Sequence, residues 1–258
     1  MSFGRAMITP LILIAVAVRE EAAHLCDRLE TPHVFSIGGR EVVCGNLCGV
    51  PVRILTTGPG QVNAVQALTA AIENERPVLV LQTGCAGAFK ASGLRVGDIG
   101  IATEEIDAHL GIEARVAGSP PSPLPFPVAR NDQGEIRNRY LVDGRLAARA
   151  EEILRRAFSG EDVRVLSGPF LTVSTITATD RTASTYHARF APCMESMEGA
   201  GAAHVALHYR LPFLEIRSAS NLVGNRDREN WNLTLAFERC GNALWTLFQG
   251  VFFSWIKT

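Results

Sequence analysis

"LILIAVAVREEAAHL", residues 11–25, decides how the chain is read. Its apolar residues run unbroken to Val18, and charge enters only with Arg19, Glu20 and Glu21. A short apolar run of this kind suits a strand buried on both faces, as in a sheet covered by helices. The two glutamates that follow suit the first turn of a helix, where the dipole favours negative charge. The same stretch, with a basic residue before it and Ala-Val-Ala inside it, also imitates a secretory leader. Cleavage after Ala17 would delete a strand and leave the carboxylates at a new terminus, so the strand-to-helix reading is preferred.

Outward from this unit the rhythm of strand, turn and helix repeats. Strands are expected over 11–18, 41–47, 50–57, 78–83, 98–103, 162–167, 170–177, 192–197 and 212–219. Helices are expected over 19–30, 61–74, 144–158, 199–209 and 229–250. "PVLVLQ", residues 77–82, is a second continuous apolar strand, and the alternation defines an α/β fold. "REVVCGNLCGVPVRILTTG" reads as a hairpin turning at Gly49-Val50-Pro51. "GSPPSPLPFP", residues 118–127, has few ladder donors and is expected to be an ordered surface loop or lid within one domain spanning 1–258. "ALWTLFQGVFFSWI" is shorter than the roughly 20 apolar residues of a bilayer span and reads as the buried face of a last helix.

A formal charge of −1 gives no electrostatic footprint for nucleic acid or an anionic membrane, which leaves a small molecule as the expected partner. Of the six cysteines only Cys44 and Cys48 are close, and they lack the second pair or histidines of a zinc site. Reduced thiols in a cytoplasmic protein, with no metal and no cofactor, are expected.

Ligands of α/β sheets gather at the carboxyl ends of strands. Glu20 and Glu21 stand at one such end, either as helix-dipole partners or as catalytic acids. In "TTGPGQVNA", residues 56–64, Gly58 and Gly60 leave backbone N–H groups at a helix start that can hold an anion, although such turns use glycine routinely. In "QTGCAGAF", residues 82–89, small residues let a flat ligand approach the backbone. Cys85 there has no nearby histidine to activate it, and packing is the plainer role. In "PCMESMEGAGAAHVAL", residues 192–207, alternation puts Glu195 and Met197 on one face and Glu198 at a helix start. Glu198 can serve the helix dipole or accept hydrogen bonds from a vicinal diol. Asn221 ends "PFLEIRSASN", either as a turn residue or as a neutral hydrogen-bonding group where an acid would be more usual.

Taken together, "AVAVREE", "TGPGQVNA", "QTGCAGAF…VGDI", "ESMEGAGAAHVA" and "PFLEIRSASN" resemble the nucleoside phosphorylase and nucleosidase superfamily over residues 11–221. The tail "SNLVGNRDRENW" resembles its futalosine hydrolase branch, which acts in an alternative menaquinone route. The resemblance implies a mixed, twisted central sheet flanked by helices in a single nucleoside phosphorylase-like domain. It implies hydrolysis of a purine N-ribosidic bond, with hypoxanthine leaving from futalosine. Glu21 matches the base that deprotonates water, Glu198 the ribose-diol ligand, and Met197 a residue packed on the sugar. Cys85, Ala86 and Gly87 match the backbone edge of the base pocket, and "TVSTIT", residues 172–177, a further wall. No aromatic matches the stacking residue of methylthioadenosine nucleosidases.

Asn221 matches an aspartate of relatives that cleave adenine nucleosides. An amide suits a 6-oxopurine, because its NH₂ can serve N7 or O6 without charge repulsion. A carboxylated 5′ group would need an apolar pocket with a cation, for which Arg226, Arg228 and His109 are candidates by loop position. A solvated charge cluster, or a brace to Asp227, is the plainer account of those arginines. Homodimers are implied by the resemblance. Phosphorolysis stays open, with Arg19 and Arg217 as available phosphate ligands, and so does a non-catalytic nucleoside-binding module.

Overall fold

The computed structural model describes residues 10–116, 119–132, 134–250 and 252–253. In chain order the elements are β1 (Ile12–Val16), α1 (Arg19–Cys26), β2 (Glu30–Ile37), β3 (Arg40–Leu47), β4 (Val50–Thr56), α2 (Gln61–Asn74), β5 (Leu79–Ala88) and β6 (Ile99–Asp107). The short strands β7 (Ala129–Asn131), β8 (Gly134–Ile136) and β9 (Arg139–Leu141) lead to α3 (Gly144–Ala157). Then come β10 (Val165–Thr172), α4 (Asp180–Phe190), β11 (Met194–Ser196), α5 (Gly199–His208), β12 (Phe213–Leu222) and α6 (Leu233–Gln249).

Among the described residues, ten strands join one mixed sheet in the order β11-β10-β6-β12-β5-β1-β4-β3-β2, with β9 on β6. The apolar opening run is a central strand, parallel to β4 on one side and β5 on the other, with every residue buried. β5 pairs in parallel with β1 and β12, and its last residues, Gly87 and Ala88, pair antiparallel with β11. β11 is also linked to β12 through β10 and β6, so the sheet curls back on itself around the end of β5. Helix α1 packs on α6, and α2 on α5. A second apolar cluster, including Phe89, Leu171, Tyr186, Phe190 and Val223, covers the closing end. No described helix is long and apolar enough to cross a membrane.

The departures from expectation have local causes. The hairpin between β3 and β4 turns at Cys48 and Gly49, both with positive φ, not at Gly49-Val50-Pro51; Val50 and Pro51 already belong to β4. The two strands expected over 162–167 and 170–177 are one, β10, with a register shift at Gly168/Pro169. The first helix stops at Cys26, and β2 begins at Glu30. β2 went unforeseen because it is an exposed edge strand carrying Pro32, so burial imposes little alternation on it. Helix α4 was also unforeseen: it is capped by Thr179 and buries only Ala183, Tyr186 and Phe190. The last helix begins at Leu233, after a 3₁₀ turn over Arg228–Asn230, with Asn232 as its cap. In the Pro-rich stretch Gly118 lies outside the described residues, while Ser122 bridges back to Ile112.

Candidate active site

A cavity of about 240 Å³ opens where the sheet closes. Its lining includes Glu21, Cys85, Ala86, Gly87, Met197, Glu198 and Asn221, so the fold brings the seven residues matched to the family's site to one place. Val173, Ile176 and Thr177 form the wall expected from "TVSTIT". A larger cleft of about 740 Å³ lies elsewhere, between the β7 region and α5, and holds none of these residues.

Glu21 is the third residue of α1, and its carboxylate folds back over the helix start. Oε2 accepts from Ala17 N (2.8 Å) and Val18 N (3.2 Å), which caps the helix, while Oε1 accepts from Cys85 N (2.9 Å). The helix-dipole role and a place in the cavity therefore coexist in one residue. Glu20 is exposed and lines a separate groove beside α1. Burial raises the Glu21 carboxyl above its ordinary 4.5; Arg217 and the Cys85 N–H pull it back, and the Glu198 charge adds to the rise. The approach is close enough to require glycine at position 84, where φ is +143° and a Cβ would lie 2.3 Å from Glu21 Oε1.

Glu198 stands at the start of α5. Its Oε1 accepts from Gly60 N (2.8 Å), and its Oε2 from Arg217 Nη2 (3.0 Å) and Met197 N (3.3 Å). The anion held by the glycine turn is thus this carboxylate. These contacts leave Oε1, with one recorded donor, spare acceptor capacity in a residue that lines the cavity.

Arg217, buried in β12, ties the site together. Its Nε donates to Glu215 (2.7 Å), Nη1 to the Cys85 carbonyl (3.0 Å) and Nη2 to Glu198. The sequence offers it only as a phosphate ligand; the signal it carries is a second charged residue, two after Glu215, in a strand buried from Phe213 to Ser220. Arg19 is outside the cavity, exposed and paired with Glu41. Burial pushes the Cys85 thiol up to about 12, helped by the Glu21 charge and opposed by Arg217, which disfavours a thiolate nucleophile.

At the other end Asn221 follows a register shift in β12 and pairs with Gly87; Glu195 on β11 pairs with the same Gly87 from the opposite side. Asn221 Oδ1 accepts from Ser220 Oγ (2.8 Å), and its Nδ2 donates to Leu222 O (3.2 Å). Glu195 accepts from both the N–H and hydroxyl of Thr177, and burial raises its carboxyl despite those bonds. The mouth is apolar, with Ile176, Leu222 and Leu233 exposed on it. Arg226 also lines it, its guanidinium 5.2 Å from the Trp231 ring centroid. Among the described residues Trp231 is the one aromatic side chain in the lining, and sequence reading missed it. Arg228 and His109 do not line the cavity; His109 contacts Tyr186 and Ser174 instead. Asp227 accepts from Asn230 and Glu229, so the expected arginine brace is replaced by a local turn.

The model of the Phosphorylase superfamily matches residues 11–249, and the chain belongs to that family. It is 28% identical over 228 residues to the 5′-methylthioadenosine/S-adenosylhomocysteine nucleosidase of Bacillus cytotoxicus, covering 86% of this chain and 90% of the relative. The enzyme of the same name from Bacillus thuringiensis strain Al Hakam matches to the same extent. In fold, the chain is similar to the Colwellia psychrerythraea nucleosidase of that name in complex with adenine, with a TM-score of 0.77, 22% identity, and coverage of 93% of this chain and 95% of the other. The Neisseria meningitidis nucleosidase with methylthio-immucillin-A gives a TM-score of 0.76 at 22% identity, covering 92% and 97%. The expected nucleoside phosphorylase-like fold is the one observed, and the expectation of an N-glycosyl hydrolase agrees with these relatives.

Proposed function

We propose that the chain is a purine nucleosidase that releases hypoxanthine from futalosine. The observation that carries this reading is Asn221 at the base end of the cavity, with an amide N–H to offer. A 6-oxopurine presents acceptors at O6 and N7 and a donor at N1. Asn221 and Glu195, in register on either side of Gly87, supply a donor and an acceptor to that edge. The exposed apolar mouth with Arg226 suits a 5′ substituent that is both aromatic and carboxylated.

In the proposed reaction Glu21 takes a proton from the attacking water, and Glu198 holds the ribose hydroxyls with Met197 against the sugar. Cleavage builds positive charge on the ribosyl group, which the two carboxylates stabilise. Asn221 then stabilises the departing base by hydrogen bonding. Water is favoured over phosphate because Arg217 is committed to Glu215, Glu198 and Cys85, and the Gly60 N–H to Glu198.

The relatives named above favour a second reading, in which the leaving base is adenine. Purine release from futalosine, inosine and methylthioadenosine, each with and without phosphate, separates the two. Fast, phosphate-independent release from futalosine is the expected result. Preference for methylthioadenosine would establish the second reading, and phosphate-dependent release from inosine would make the enzyme a phosphorylase.

A further inference from the structure

Behind Arg217, on the side away from the cavity, two more carboxyls are buried completely: Glu105 on β6 and Glu215 on β12. Neither lines the cavity, and the mechanism above uses neither. Glu215 Oε1 accepts from Arg217 Nε at 2.7 Å, and Glu105 Oε2 accepts from Thr172 Oγ1 at 3.1 Å. Thr172 Oγ1 in turn accepts from Ala200 N (2.8 Å), in the first turn of the helix that Glu198 begins. Both carboxyls converge on Gly199: a Cβ there would lie 2.2 Å from Glu105 Oε2 and 2.6 Å from Glu215 Oε2, so these oxygens are at most 4.8 Å apart. Glu105 Oε1 and Glu215 Oε2 are both buried without a hydrogen-bond partner.

Two ionised carboxylates this close in a fully buried site repel strongly, and two orphaned acceptors are costly. One proton between them removes the repulsion and gives Glu215 Oε2 a donor. We infer that Glu105 keeps a proton that it shares with Glu215, and that this pair is the positioning device holding Arg217 on Glu198 and the Cys85 carbonyl. The groups around the pair fit this arrangement: Arg217 on β12 stands between it and the Glu198 and Glu21 carboxyls, and the Cys193 thiol beside β11, raised by burial and by any charge on Glu105, is neutral. Burial raises the Glu105 carboxyl well above its ordinary range, the nearby Glu215 charge raises it further, and Arg217 opposes. With Glu105 neutral, Glu215 balances the guanidinium, so Arg217 orients Glu198 without cancelling the negative charge offered to the ribosyl group.

The activity arm rests on the nucleosidase reading and uses whichever purine nucleoside the enzyme cleaves. The stability arm does not depend on it. Glu105→Gln keeps an acceptor for Thr172 and places an N–H toward Glu215, so kcat/KM should stay within about threefold of wild type. Glu105→Leu removes the donor and should lower kcat/KM about tenfold or more, a loss of about 1.4 kcal/mol. Independently, folded wild type holds a proton that the unfolded chain releases above about pH 4.5, so its stability falls with rising pH. Denaturant unfolding from pH 5 to 8 should show that slope reduced by one proton in Glu105→Gln, and equally in Glu215→Gln, where Glu105 can ionise against an amide donor. The inference is overturned if Glu105→Gln keeps the wild-type slope, if it is as impaired as Glu105→Leu, or if Glu105→Leu is as active as wild type. Should Glu105→Leu fail to fold, the slopes of the two glutamine variants still decide the shared proton. Should no nucleoside be cleaved, the functional reading fails while the slopes test the proton alone.

Discussion

Replacing Glu21 by glutamine tests the proposed base most directly, and the structure shows that the change is not a silent isostere. The carboxylate accepts on both oxygens, from Ala17 and Val18 on one side and Cys85 on the other. Glutamine has one carbonyl oxygen, so its NH₂ must face a backbone N–H on one side. That leaves a buried donor unsatisfied, at about 1–3 kcal/mol. Removing a buried charge whose carboxyl already sits above its ordinary range offsets part of this cost. Unfolding stability should therefore change little at neutral pH. Activity should change far more, because general-base catalysis contributes about 10²–10⁴-fold, or about 2.7–5.5 kcal/mol. The assay is single-turnover purine release, beside direct binding of an uncleaved nucleoside analogue and a melting curve. Loss of turnover with retained binding and fold is expected. The wild-type rate should also fall on the acid side as Glu21 takes up its proton, with a midpoint above 4.5. On the same protonation, stability should rise as pH falls, since the folded carboxyl binds a proton that the unfolded one leaves in solution. A folded variant with kcat within tenfold of wild type would refute the role of Glu21 as base.

Asn221→Asp should move the ratio of kcat/KM for adenine over hypoxanthine leaving groups upward by about tenfold or more; an unchanged ratio removes Asn221 from base selection. Arg226→Ala should raise KM about tenfold for a nucleoside with a carboxylated 5′ group and leave inosine unaffected, and equal effects on both would place Arg226 outside substrate recognition. Gly84→Ala should lower stability by about 1–3 kcal/mol and displace Glu21, because φ is positive there and the new Cβ meets Oε1. A variant with normal activity and melting temperature would show that the Glu21 contact is not tight.

Periodicity and turn chemistry are local properties, and they carried much of the fold. The unbroken apolar run at 11–18 can be buried on both faces only inside a sheet, and β1 indeed lies between β4 and β5. The α4 stripe of Ala183, Tyr186 and Phe190 was present in the sequence, but three buried residues in eleven are a weak period beside the polar Thr and Ser around them. β2 carried almost no signal, because an exposed edge strand needs neither alternation nor apolar content.

For the site, residue type at strand ends raised Glu20, Glu21, Glu198 and Asn221 as candidates, since charged or amide groups there break the apolar pattern, and the family resemblance chose Glu21 over Glu20. What they touch was not legible, because each contact joins residues far apart in the chain. Gly60 meets Glu198 across 138 residues and Cys85 meets Arg217 across 132. Only closure of the sheet around Gly87 could set Asn221 opposite Glu195 and leave one guanidinium among four carboxyls. The sequence by itself determined where polar side chains stand at the ends of buried strands. The tertiary structure decided which of them share a proton, a donor or a charge, because those energies depend on burial and distance, and neither exists until the chain folds.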